Sequence, residues 1–163
     1  MNNKILMVVL SLCLFCSQIS LGQQTDTAKA YARRELDIKI ASSRKQKDWK
    51  RYTRFLVEKT EKYGYAGTFG PSYELNAIAW EIFLHSKSRK ELNKALDWSK
   101  ASLDDKNQLN RGMDTYANLL YKLGRKKEAI EFEQKALDLE PNDRETQATL
   151  AKMKKGEKTW PID

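Results

Sequence analysis

The chain has 163 residues but only two cysteines, one histidine, three prolines and seven glycines. Each scarcity excludes something. Cys13 and Cys16 both lie near the N-terminus. The rest of the chain therefore has no disulfide, no thiolate nucleophile and no thiolate metal ligand. A C-x-x-C redox motif needs its pair at the head of a helix after a strand, whereas this pair lies inside an apolar run. His85 alone cannot build a His-rich metal set or a Cys–His pair, so no metal and no cofactor are expected. Few prolines and glycines argue against a turn-rich β-sandwich or a low-complexity linker protein. Gly64 to Gly70 carries aromatics and no lysine in phosphate-loop register, and reads as a turn. No apolar run reaches the roughly 20 residues of a membrane-spanning helix.

What is present begins with an export pattern. Lys4 gives a short positive region, Ile5 to Phe15 an apolar stretch of 11 residues, and Ser20-Leu21-Gly22 a small-residue cleavage site. This predicts a secretory signal peptide over 1–22, cut between Gly22 and Gln23. Bacterial lipoproteins resemble one another in a small residue before the modified cysteine. Phe15 stands before Cys16, so a lipid anchor there is not expected. The expected location is the periplasm or the outside of the cell.

From Gln23 onward helical periodicity dominates, and the fold class expected is all-α. Seven helices are predicted. The first covers about 27–44, with Ala28, Ala32, Leu36 and Ile40 as its stripe, and the second about 48–63, N-capped by Asp48. The third covers about 72–85. The fourth starts at Ser88, where Ser88 and Glu91 fit a capping box. The fifth covers about 113–123 and stops at Gly124, and the sixth covers about 126–139 and is broken by Pro141. Asn142 and Glu145 form a second cap pattern for the seventh, which runs to about 154. Residues 156–163 are expected to be a flexible tail.

Residues 110–143 span 34 positions, the tetratricopeptide period. Ala117, Gly124, Ala129, Ala136 and Pro141 stand at that family's small-residue, turn and end positions. The segment resembles a tetratricopeptide repeat, departing from it at Met113, Tyr116 and Glu133. The resemblance implies antiparallel helix pairs at about 27–63, 72–104 and 110–140, stacked as a short α-solenoid within one domain, 23–155. A polar capping helix at 142–155 closes it. Leu75 to Trp80, Lys94 to Trp98 and Asp114 to Gly124 are also similar to helical-repeat regions of exported bacterial thioredoxin-like proteins, without any thioredoxin domain here.

In the tetratricopeptide family the first helix of each pair lines a concave groove. Carried over residue by residue, this puts Arg111, Asp114, Asn118, Tyr121 and Lys122 in the groove, and before them Tyr73, Asn76, Trp80, Phe83 and Leu84. Trp80 and Phe83 could equally be core between pairs. The Lys/Asn/Arg clamp of chaperone-binding members is not matched. His85 reads as a solvated helix-end histidine. Asp104/Asp105 and Glu131/Glu133 read as solvated acids, because neighbours at i+1 and i+2 do not share a helix face.

Charge is uneven. The chain carries net +8, and residues 23–62 hold 12 basic against 6 acidic side chains, while 63–163 hold 17 against 16. Lys47, Lys50, Arg51 and Arg54 form a basic patch on the second helix. The function expected is that of an exported tetratricopeptide-type adaptor, without catalysis, whose partner is an unidentified protein or peptide. The alternative is electrostatic docking of the basic first helix pair on an anionic membrane or polyanion, a weak surface contact. Export disfavours nucleic acid.

Overall fold

The computed structural model describes residues 26–65, 67, 69–106 and 109–161. The export pattern, with Cys13, Cys16, Gly22 and Gln23, lies outside them. The described residues are all-helical, with no strand. None of their helices is long and apolar enough to cross a membrane.

Helical backbone covers 26–45 (α1), and the chain divides within it into two compact units, Met1–Lys39 and Ile40–Asp163. In the first unit, Tyr31 and Ile38 are exposed, and Lys39 pairs with Glu35 at 2.6 Å. The second unit contains α2 (Trp49–Tyr63), α3 (Pro71–His85), α4 (Arg89–Ser99), a 3₁₀ turn (Lys100–Ser102), α5 (Leu109–Lys122), α6 (Lys126–Leu139) and α7 (Arg144–Lys155). Consecutive helices pack together: α3 on α4, α5 most extensively on α6, and α6 on α7.

Local chemistry explains most boundaries. Asp48 caps α2, its carboxylate accepting the Arg51 N–H at 3.1 Å. Ser88 caps α4 by accepting from Glu91 N–H, but the return half of the capping box is relayed. The Ser88 N–H donates to Ser86 Oγ, and Ser86 in turn donates to the Glu91 carboxylate at 2.6 Å. Helix α5 starts a full turn before the expected 113. Gly124 ends the α5 turn at φ 89°, with Arg125 N–H reaching back to the Leu120 carbonyl. Two expectations are corrected. The cap of α7 is Asp143, not Asn142, and it accepts from the Glu145 and Thr146 N–H groups. The tail is not loose at Trp160, whose ring stands edge-on to Phe83 and Tyr121.

The core gathers Ile82 and Phe83 of α3, Leu92 and Leu96 of α4, and Leu119 and Leu120 of α5. Burying each such side chain contributes about 1.5–3 kcal/mol. Ala117, Ala129 and Ala136 are fully buried, as close helix packing requires. Gly112 permits a second close approach. A Cβ there would stand 2.5 Å from Ser102 Oγ, so α5 rests directly on the 3₁₀ turn.

Candidate functional site

Three non-adjacent helices share a groove, and each offers one face, at i, i+3, i+4, i+7 spacing on α3 and α7 and at i, i+3, i+4 on α5. From α3 come Tyr73, Asn76, Ala77 and Trp80, and from α5 Arg111, Asp114 and Thr115, with Glu145 of α7 opposite. This part of the groove has a volume of about 340 Å³. It continues into a second part of about 630 Å³, reached past Trp80, Arg111 and Asp114 and walled by α7 at Glu145, Thr149 and Lys152. Five of the ten predicted groove residues, Tyr73, Asn76, Trp80, Arg111 and Asp114, therefore line one cavity.

The other five sit elsewhere, Leu84 half-buried against the core. Asn118 is 1% exposed and holds Asp114 from behind, its amide N–H donating to the Asp114 carboxylate and to its backbone carbonyl, each at 3.0 Å. Tyr121 donates its hydroxyl to the Met153 carbonyl at 3.4 Å. The Lys122 ammonium lies over the Phe83 and Trp160 rings and donates to the Phe83 carbonyl at 2.5 Å. Phe83 itself is fully buried core. Asn76 is pinned in the wall, accepting from the Ser102 hydroxyl at 3.3 Å.

The expectation that Glu133 is a solvated acid is overturned. It is 0% exposed, and neither carboxylate oxygen has a donor from the protein. It shares the buried face of α6 with Ala129 and Ala136, and it faces the Asp114 carboxyl across the α5–α6 contact. Two ionised carboxylates are both acceptors, so a pair in contact must hold a proton. Burial pushes Glu133 far above the ordinary glutamate range, and the Asp114 charge adds to it. Asp114 is raised less. Burial is again the main cause, and the charges of Asp143 and Glu145 add to it, while the bonds to Glu133 and Asn118 oppose it. The shared proton thus rests on Glu133, and Asp114 carries the negative charge at the groove floor.

The basic patch forms a second, more open site. Lys47, Lys50 and Arg54 line a pocket of about 580 Å³ with Trp49, His85, Lys87 and Glu91. All three of those cations are exposed, and Arg51 pairs with Asp48 at 3.4 Å. Lys47 precedes α2 at φ 56°, a left-handed conformation unusual for a lysine. His85 is not solvated as expected. Its ring stacks on Trp49 at 3.8 Å with 10° between planes, and its Nε2 lies 3.9 Å from Glu81. Glu81 also accepts the Tyr52 hydroxyl at 2.7 Å and faces Arg44 at 3.8 Å.

Residue-by-residue reading missed Glu133, Asn110, Asp143, Glu145 and Thr159. For Glu133 a signal existed: it stands four residues after Ala129 and three before Ala136, on the packing face. No protein-family model and no curated protein matches this chain.

Proposed function

We propose that this protein is an exported tetratricopeptide-type adaptor that captures a segment of a partner polypeptide in the groove between α3, α5 and α7. In this reading α3–α4 and α5–α6 are antiparallel repeat pairs of a short solenoid, α7 is the closing helix, and residues 1–22 are removed on export. The observation that carries it is the gathering of Tyr73, Asn76, Trp80, Arg111 and Asp114 into one cavity from alternate helices. Aromatic rings, an amide and charges of both signs suit an extended peptide, where a few anchors supply most of the affinity. The protein acts by binding, without catalysis of its own.

Crosslinking tests this reading. A photoreactive residue at Ala77, on the groove wall, is expected to trap a discrete partner in the cell envelope, and Trp80→Ala to weaken the trapping. The same probe at Arg51 on α2 is expected to trap none of that partner. Equal trapping from both positions removes the groove from the proposal.

A second reading is favoured by the cluster of Lys47, Lys50, Arg54 and Lys87 around Trp49. This cluster would dock on an anionic membrane surface or a polyanion, weakly and with strong salt dependence.

A further inference from the structure

We propose that the groove selects a cationic partner segment and seats one lysine or arginine side chain of it on Asp114. The inference rests on the groove reading above and names what that groove takes.

Charge is the first support. The inner part of the groove is lined by Asp114, Glu140, Asp143 and Glu145 against Arg111 and Lys152. Residues 63–163 as a whole are close to neutral, with 17 basic and 16 acidic side chains, so this acidity is local. The amino end of α7 offsets part of the charge of Asp143, which caps it, and Glu145. Asp114 lies on α5 and caps no helix; the nearby charges of Asp143 and Glu145 act against its own, and the Asn118 amide supports it from behind.

Unsatisfied acceptors are the second and independent support. Among the described residues, the buried side-chain polar atoms without a hydrogen-bond partner are Asn110 Oδ1, Asn118 Oδ1, both carboxylate oxygens of Glu133, and Thr159 Oγ1. Asn110 and Thr159 line the groove, and Asn118 and Glu133 stand directly behind Asp114. Buried polar groups are nearly always paired, so the unpaired oxygens of the groove-lining Asn110 and Thr159 mark where a partner group belongs. Glu133 holds its proton against Asp114, so the atoms that a partner can answer are Asn110 Oδ1, a pure acceptor, and Thr159 Oγ1, which can accept. The group that suits them carries donors and no acceptor, and lysine and arginine are the side chains of that kind with positive charge. Trp80 and Tyr73 add an aromatic wall for the alkyl stem or the cation itself. No group of three or more histidine, cysteine or carboxylate side chains among the described residues is placed to hold a metal ion.

A displayed library of random peptides, selected on the purified protein, tests this. Selected sequences are expected to be enriched in lysine and arginine. A synthetic peptide of one such sequence is expected to bind about tenfold more weakly to Asp114→Asn, which keeps the side-chain shape and removes the charge. Glu145→Gln, on the exposed start of α7, keeps the test valid if Asp114→Asn misfolds. It is expected to weaken binding about two- to threefold, and less at high salt. Ala77→Trp, which fills the groove, is expected to abolish binding. Selected peptides without basic enrichment that are still lost on Ala77→Trp overturn the cationic anchor and leave the groove reading intact. Basic peptides indifferent to Ala77→Trp and to Glu145→Gln overturn the anchor by placing the contact elsewhere. Failure to select any peptide overturns both.

Discussion

The α3–α5–α7 groove and the α2 patch both combine aromatic rings with charge, yet they are built differently. In the groove, the charge at Asp114 is backed by a second carboxyl that is 0% exposed, and by an amide that is 1% exposed. At the patch, Lys47, Lys50 and Arg54 extend into solvent, and Arg51 already has a carboxylate beside it. Buried charge is costly and persists only where the surrounding packing holds it. Solvated lysines cost the fold nothing and commit it to nothing. A site can therefore be distinguished from a surface by the energy stored behind it, and that energy can be measured.

The largest expected effect comes from the buried carboxyl. Native protein keeps a proton on Glu133 that the unfolded chain releases above its ordinary value of about 4.3. Folding then takes up a proton, so stability falls as pH rises through neutrality into the alkaline range. Between pH 6.5 and 8.5 the loss is about 1–3 kcal/mol, since one pH unit is worth at most about 1.4 kcal/mol per proton. Glu133→Gln retains shape and offers an N–H to Asp114, so its melting temperature should be higher at pH 8.5 and flatter with pH. Parallel pH slopes for the two proteins would show that Glu133 is solvated after all, erasing the contrast with the α2 patch.

Next in size is Gly112→Ala. The new methyl would press on Ser102 and on backbone where α5 meets the 3₁₀ turn, and the same hydroxyl holds Asn76 in the groove wall. The expected loss is about 1–3 kcal/mol, read by chemical denaturation. It should be accompanied by weaker peptide capture, because the wall moves with the turn. A neutral result would mean that α5 is loosely seated.

Tyr52→Phe probes the half-buried contact between α2 and the Glu81 carboxylate of α3. Removing the hydroxyl leaves Glu81 without its 2.7 Å donor. Glu81 keeps Arg44 and His85 nearby and is partly solvated, so the loss should be about 1–1.5 kcal/mol. Unfolding experiments that rank this change above Glu133→Gln would reverse the assignment of the stored energy.

Helix positions were legible in the sequence because caps and breakers act locally. Asp48, Ser88, Gly124 and the 126–139 span needed only neighbours within a turn. The cap of α7 was misplaced by one residue because Asn142 and Asp143 are both good caps, and the choice depends on which carboxylate or amide reaches Thr146. Half of the groove residues expected from the tetratricopeptide resemblance, Tyr73, Asn76, Trp80, Arg111 and Asp114, line the cavity, because their spacing keeps them on one face of α3 and one of α5. Glu133 reads as a solvated acid beside Glu131, but it shares its face with Ala129 and Ala136 and is buried with them. Asn118 differs for another reason. Helical spacing shows which side of α5 it occupies, but not that its amide turns onto the Asp114 carbonyl one turn back. Thr159 and Trp160 return to the body of the protein through long-range packing, for which a polar tail carries no periodic signal.

The smallest expected effect on the fold is charge reversal in the patch. Lys50→Glu with Arg54→Glu should change stability by no more than about 0.5 kcal/mol, since both side chains are exposed. Arg54 also lies over the Phe55 ring at 4.9 Å, so a small packing loss is included in that figure. Peptide capture by the groove should be unchanged. Binding to vesicles rich in anionic lipid, measured by co-sedimentation at low salt, should disappear in this variant if the patch docks on such surfaces. It should already fade in the wild type as the Debye length shortens to about 8 Å near physiological ionic strength. Vesicle binding that survives charge reversal would remove the patch from consideration. Peptide capture that falls with it would mean the two sites are one, and the distinction between buried and surface charge would no longer separate function from solubility.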